Sequence, residues 1–224
     1  MRDLRLFWDQ TLAILAKDIR TELRARQVWL AMGMFALLVL VVFNFAFDLQ
    51  VENKAAVAPG ALWIAFVFAS VLGLGRTLSS EREKGSMDRL LLCPVDRQAI
   101  FLAKLTGNLL FIGAVEVVAV PLFAGLYDLP ILTPRVLPIV ILGTIGVSTI
   151  GTLFSAVAAN TRAREILLPL LVFPLVVPVV IGAVKATQGL LVTIGDTPWL
   201  GLIAAFDVIF VSLSVVMFPF VIEE

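Results

Sequence analysis

Apolar residues run along this chain in six blocks, at about 28–47, 57–78, 100–126, 137–159, 166–184 and 199–221. Each is close to the roughly 20 residues that an α-helix needs to cross the hydrocarbon core of a bilayer. The pattern therefore predicts six membrane-spanning helices. Pro59 and Gly60 open the second block, and Pro121, Pro169, Pro174, Pro178 and Pro219 lie inside others. Membrane helices tolerate proline where neighbours satisfy the freed carbonyls, so these positions do not overrule the assignment. Trp29, Trp63 and Trp199 fall near predicted span ends, where an amphipathic indole is favoured.

Residues 2–26 follow a different pattern. Leu4, Trp8, Leu12, Leu15, Ile19 and Leu23 recur at steps of three and four among Arg2, Arg5, Lys17, Arg20, Arg24 and Arg26. That is helical periodicity with one apolar stripe. It predicts an amphipathic helix in the membrane interface, or an extended cytoplasmic tip of the first span. A cleaved signal peptide does not fit, because the polar region is too long and a full-length span follows.

Composition agrees with the membrane reading: 60% apolar residues, 15% charged and a mean hydropathy of +1.04. Net charge is zero, which points to no nucleic-acid partner. The distribution of charge says more. Fourteen of the 17 basic residues lie in the N-terminal segment, between Arg76 and Lys104, or at Arg162 and Arg164; the opposite connections hold Lys54, Arg135 and Lys185. The alternation requires six spans, and the positive-inside rule places both termini in the cytoplasm. Cys93 is the single cysteine, so no intrachain disulfide or CxxC pair exists, and there is no histidine. The commonest metal ligand and general base are thus missing. No metal site or catalytic residue is assigned, and with neither GxxxxGK[ST] nor HExxH nor GxSxG, nothing points to an enzyme.

The connection between the second and third spans is the best-marked segment. Gly85 breaks the chain, Ser86 is placed to cap a short helix at about 87–93, and Asp88 lies in its first turn. Met87, Leu90 and Leu91 share a face, Pro94 follows the end, and Asp96 is placed to cap the next helix. The apolar face needs a cover. It lies against the headgroup boundary or docks in a groove of a cytoplasmic partner.

Glu116 and Asp207 sit inside the third and sixth predicted spans. A charged residue at the bilayer centre costs about 2.5–3.5 kcal/mol on insertion scales and normally faces protein or a wet cavity. Both either line a substrate or proton path or serve helix packing. Gly143, Gly146 and Gly151, with Ser148, Thr149 and Ser155, form a small-residue surface suited to close helix approach.

The run from Ala58 through Pro59, Gly60, Trp63, Leu74, Arg76, Glu83, Gly85, Leu90 and Pro94 to Lys104 resembles the second span and coupling region of the cytochrome c maturation permease B family (CcmB), a branch of the type-2 ABC exporter permeases. The proline-rich stretch 164–184 is similar to that family's fifth span. The resemblance implies an all-α membrane protein with an interfacial helix at 1–26, a six-helix permease domain at 27–224 and a coupling loop at about 79–99. It implies that Glu81, Arg82, Glu83, Gly85, Ser86, Met87, Asp88, Arg89, Leu90, Leu91 and Pro94 meet a separate CcmA-like ATPase, which would hold the ATP. CcmC-like and CcmD-like subunits and, indirectly, a CcmE-like haem chaperone are the other implied partners, in a bacterial inner membrane. Haem would be a handled species, with no cofactor bound directly. The competing readings are a general type-2 exporter of lipid, drug or polysaccharide, and a mechanical assembly subunit that moves no haem.

Overall fold

Hydrocarbon offers the backbone no hydrogen-bond partner, so a chain this apolar must pair its amides within helices. The computed structural model describes residues 2–24, 26–48, 54–83, 85–159, 164–192 and 198–223, with the backbone alone at 2–4, 24, 26, 47–48, 76–83, 87–88, 91, 159, 164–165 and 223. The described residues form eight α-helices: α1 Arg2–Arg24, α2 Arg26–Asp48, α3 Lys54–Glu83, α4 Ser86–Leu91, α5 Arg97–Tyr127, α6 Val136–Ala159, α7 Arg164–Val192 and α8 Pro198–Glu223. Six of them, α2, α3 and α5 to α8, are long and apolar enough to cross a membrane, as the hydropathy pattern predicts. No strand occurs among the described residues. The fold class is that of a multi-pass, all-α membrane protein.

Two helices exceed their predicted ends. α3 continues to Glu83, and α7 runs to Val192, well past 184. Polar residues in the α7 extension find partners inside the bundle. Trp63 Nε1 donates to Thr187 Oγ1 at 3.0 Å, and Gln188 Nε2 donates to the Ala56 carbonyl. This corrects the expectation that Trp63 marks an interface. Its side chain is fully buried against Phe66, and Thr187 satisfies its one polar atom. Trp29 stays half-buried and donates to the Glu22 carbonyl across the α1–α2 junction.

α3 and α6 form the centre of the bundle, whereas α2 and α8 lie mostly at its outside. Lipid tails are as apolar as leucine, so helices associate here through close packing and hydrogen bonds. The predicted small-residue surface of α6 serves that purpose. The Trp63 ring packs directly on Gly143, Leu74 packs on Gly151, and Val179 and Asp207 pack on Gly146. Tyr127 adds a polar tie, its hydroxyl donating to the Leu40 carbonyl at 2.9 Å and joining the end of α5 to α2. Asp128 then ends α5 with φ 53°, a left-handed conformation that aspartate tolerates better than most residues.

α1 has two distinct faces. Thr11, Ile14 and Asp18 are buried and form the face toward α5. Trp8, Leu12 and Leu23, three members of the predicted apolar stripe, are at least half exposed, while Leu15 and Ile19 are half-buried. At 100° per residue the stripe lies beside the packed face, so Leu15 and Ile19 are partly covered while Trp8, Leu12 and Leu23 are left open. The helix that precedes α2 by one residue thus keeps an exposed apolar side at Trp8, Leu12 and Leu23.

The packing of α6 gives a direct check. Gly143→Ala puts a methyl into the Trp63 ring and should lower the thermal unfolding midpoint in detergent, in line with the roughly 1–3 kcal/mol cost of overpacking. Gly113→Ala, where nothing lies within 4 Å, should leave that midpoint unchanged or slightly raised. Equal effects at both positions would contradict the packing described.

Candidate functional site

The segment between α3 and α5 is built by its breakers. Gly85 adopts φ +62°, a conformation glycine takes without a Cβ clash. Its carbonyl accepts from Arg89 N at 3.4 Å, so Gly85 occupies the capping place that the sequence assigned to Ser86. α4 ends at Leu91 instead of continuing to 93. The Cys93 amide bonds back to the Leu90 carbonyl at 3.2 Å, and Pro94 stops the helix. Asp96 caps α5 as predicted, with Oδ1 accepting from Gln98 N at 2.9 Å.

The side chains divide differently from the predicted face. Leu90 turns inward, half-buried with Val95 against a cluster that includes Ile14, Ile100, Phe101 and Phe218. Arg89, Leu92, Cys93 and Pro94 are exposed, and Leu92 is 86% so. Sequence reasoning missed Leu92 because it lies beyond the 87/90/91 stripe; only the early end of α4 turns it outward. Ser86 is half-buried. The backbone of Glu81, Arg82 and Glu83 completes α3, and that of Met87, Asp88 and Leu91 lies in α4. The contacts predicted for those six side chains, like Lys84 and Arg162, lie outside what the structure describes.

A second group of polar residues runs along α5. Lys104, Asn108 and Glu116, with the apolar Ile112 between the last two, recur at four-residue steps and are all buried, so they share one face of the helix. Lys104 Nζ lies 2.8 Å from Asp18 Oδ2, with only 1% of its side chain exposed. Asn108 Nδ2 donates to Thr152 Oγ1 at 2.8 Å. Thr144 Oγ1 lies 2.7 Å from both Glu116 oxygens and from the Val140 carbonyl. Thr144, Ser148 and Thr152 repeat the four-residue step on α6. The result is a polar seam between α5 and α6, from the α1 end to Glu116. Asp18 and Gln10 were not singled out in the sequence. Lys104 was the available signal, since a cation within an apolar stretch needs a partner, but that partner is 86 residues away.

Glu116 is therefore tied to the neighbouring helix. Asp207 is different. It is 4% exposed, its Oδ1 is 2.6 Å from where a Cβ on Gly146 would stand, and neither oxygen has a described hydrogen-bond partner. The two carboxyls are not brought together by any described bond. No group of His, Cys, Asp or Glu able to hold a metal occurs among the described residues.

Comparison with known proteins covers this whole arrangement. The CcmB protein family profile matches residues 9–223. Heme exporter protein B of Rhodobacter capsulatus is 34% identical over 180 residues, covering 79% of this chain and 82% of its own. Its counterpart in Pseudomonas aeruginosa is 30% identical over 213 residues, covering 93% and 92%. That of Haemophilus influenzae is 28% identical over 214 residues, covering 94% of each. The match takes in α4, the polar seam and all six membrane helices, and the chain belongs to the CcmB family.

Proposed function

We propose that this chain is the permease subunit of an ABC complex for cytochrome c biogenesis, carrying both termini on the cytoplasmic side of a bacterial inner membrane. ATP hydrolysis by a separate CcmA-like ATPase drives haem export or release of a haem-loaded periplasmic chaperone, and CcmC-like and CcmD-like subunits complete the assembly. The carrying observation is α4. It is a single isolated turn-and-a-half set off by Gly85 and Pro94, on the side rich in basic residues, with Arg89 and Leu92 free to meet a partner. Relatives named heme exporter protein B support the cargo class.

In this reading α4 seats in a groove of the ATPase. The groove receives Leu92 and Arg89, and movement of the groove pushes α4 against α3 and α5. Burying a leucine at such a contact contributes about 1.5–3 kcal/mol. That equals roughly one to two powers of ten in affinity.

A mechanical variant also has observations in its favour. The sequence has no histidine. Its one tyrosine is buried with the hydroxyl on the Leu40 carbonyl, and its one cysteine sits in the coupling segment. Apart from its five methionines, side chains suited to holding haem iron along a path are therefore few. The chain would then transmit ATPase strokes to a haem-handling neighbour. Haem movement in vesicles holding only this chain and its ATPase separates the variants, because the mechanical one gives none.

Two substitutions test the proposal. Leu92→Asp should abolish co-purification of the ATPase in mild detergent while the permease remains in the membrane at its usual level; unchanged co-purification refutes docking at this surface. Glu116→Gln keeps a hydrogen-bonding partner for Thr144, so it should leave both protein level and cytochrome c yield unchanged. A lower yield at constant level would instead place Glu116 on a transport path.

A further inference from the structure

The unassigned feature with the most structure around it is the tie between α1 and the segment that follows α4. Gln10 Nε2 donates to the Pro94 carbonyl at 3.3 Å, and Gln10 Oε1 accepts from Asp96 N at 3.2 Å. Both ends of one planar amide are used on the short stretch that joins α4 to α5. Val95, between those two contacts, is half-buried in the cluster that also holds Ile14 and Leu15 of α1.

The same register recurs farther along. Gln10 and Asp96 are 86 positions apart, and so are Asp18 and Lys104. Ile14 and Ile100, midway between the ties, are both buried in one cluster. α1 and the start of α5 therefore run side by side in the same direction without slipping. The two ties are eight residues apart, about 12 Å along the helix axis. One tie would leave a pivot. Two ties at that separation, with an apolar contact between them, block both sliding and swivelling.

We infer that Gln10 and Asp18 are positioning residues that make α1, the Pro94–Asp96 stretch and the first turns of α5 a single moving body. This rests on the reading of α4 as the ATPase contact. A displacement of α4 then reaches the third span and the interfacial helix together, and Trp8, Leu12 and Leu23 carry it to the membrane surface. α1 is on this account a part of the transmission, in addition to anchoring the first span.

The test uses the complete complex in membranes. Cys93→Ser removes the exposed native thiol, and Gln10→Cys with Val95→Cys supplies a pair to be joined by a short bifunctional thiol reagent. Joining should proceed, and cytochrome c formation should stay at or above that of the same variant before joining, because the link replaces the tie that Gln10 supplies. Failure of the pair to join, or loss of cytochrome c formation on joining, overturns the inference. A second arm needs no cross-link. Gln10→Ala combined with Asp18→Asn should lower cytochrome c formed per ATP hydrolysed while the amount of bound ATPase stays constant. A merely structural role would lower both in step with protein level, and an unchanged ratio also overturns the inference. Absence of any ATPase from the unsubstituted complex would instead refute the docking reading, and the cross-link would still report whether α1 and the segment travel together.

Discussion

The interaction on which the α1–α4 end of the bundle depends is the buried ion pair of Lys104 and Asp18. Lys104 lies inside the apolar stretch of α5, where an unpaired ammonium is costly. Removing one member of such a pair typically costs about 3–5 kcal/mol, because the other charge stays buried. The pair therefore fixes α1 on α5 at one register. With that register go the position of Gln10 beneath Pro94 and the inward turn of Leu90 and Val95 onto Ile14. Lys17, with Nζ 3.0 Å from the other Asp18 oxygen, sits at the edge of the pair and is half exposed.

Above this point the bundle is held by a different balance. Apolar surface gives little drive for helix association in lipid, so closeness and polar ties decide the packing. α6 supplies both. Gly143, Gly146 and Gly151 admit Trp63, Val179 and Leu74 to its backbone, and Thr144 and Thr152 bond to α5. The polar seam continues the line that begins at Lys104, so the tie to α1 and the ties to α6 lie on one face of α5. A push delivered at the foot of α5 meets a helix gripped along that face, which is a suitable arrangement for moving it as a rod.

Much of this was legible in the sequence, and the remainder has identifiable reasons for being hidden. Hydropathy and the asymmetry of basic residues mark the six spans, because both follow from local composition. Gly85, Pro94 and Asp96 mark the edges of α4 and α5, because breakers and caps act over a few residues. Trp63 misled, since the preference of indole for interfaces was overridden by a buried hydroxyl at Thr187. Leu90 turned inward and Leu92, which the periodicity did not mark, turned outward, because α4 stops early and α1 covers one side. Asp18, Gln10 and the Gly146–Asp207 contact depend on partners tens of residues away, and periodicity carries no information about such pairs.

Whether the six-helix bundle works through a partner that binds ATP, as proposed, is tested most directly by affinity isolation of the unsubstituted chain from its own membranes in mild detergent, followed by identification of the bound subunits. A nucleotide-binding subunit recovered in a fixed ratio to the chain is the predicted result. Recovery of the chain with no nucleotide-binding partner, from membranes that are forming cytochrome c, would contradict it.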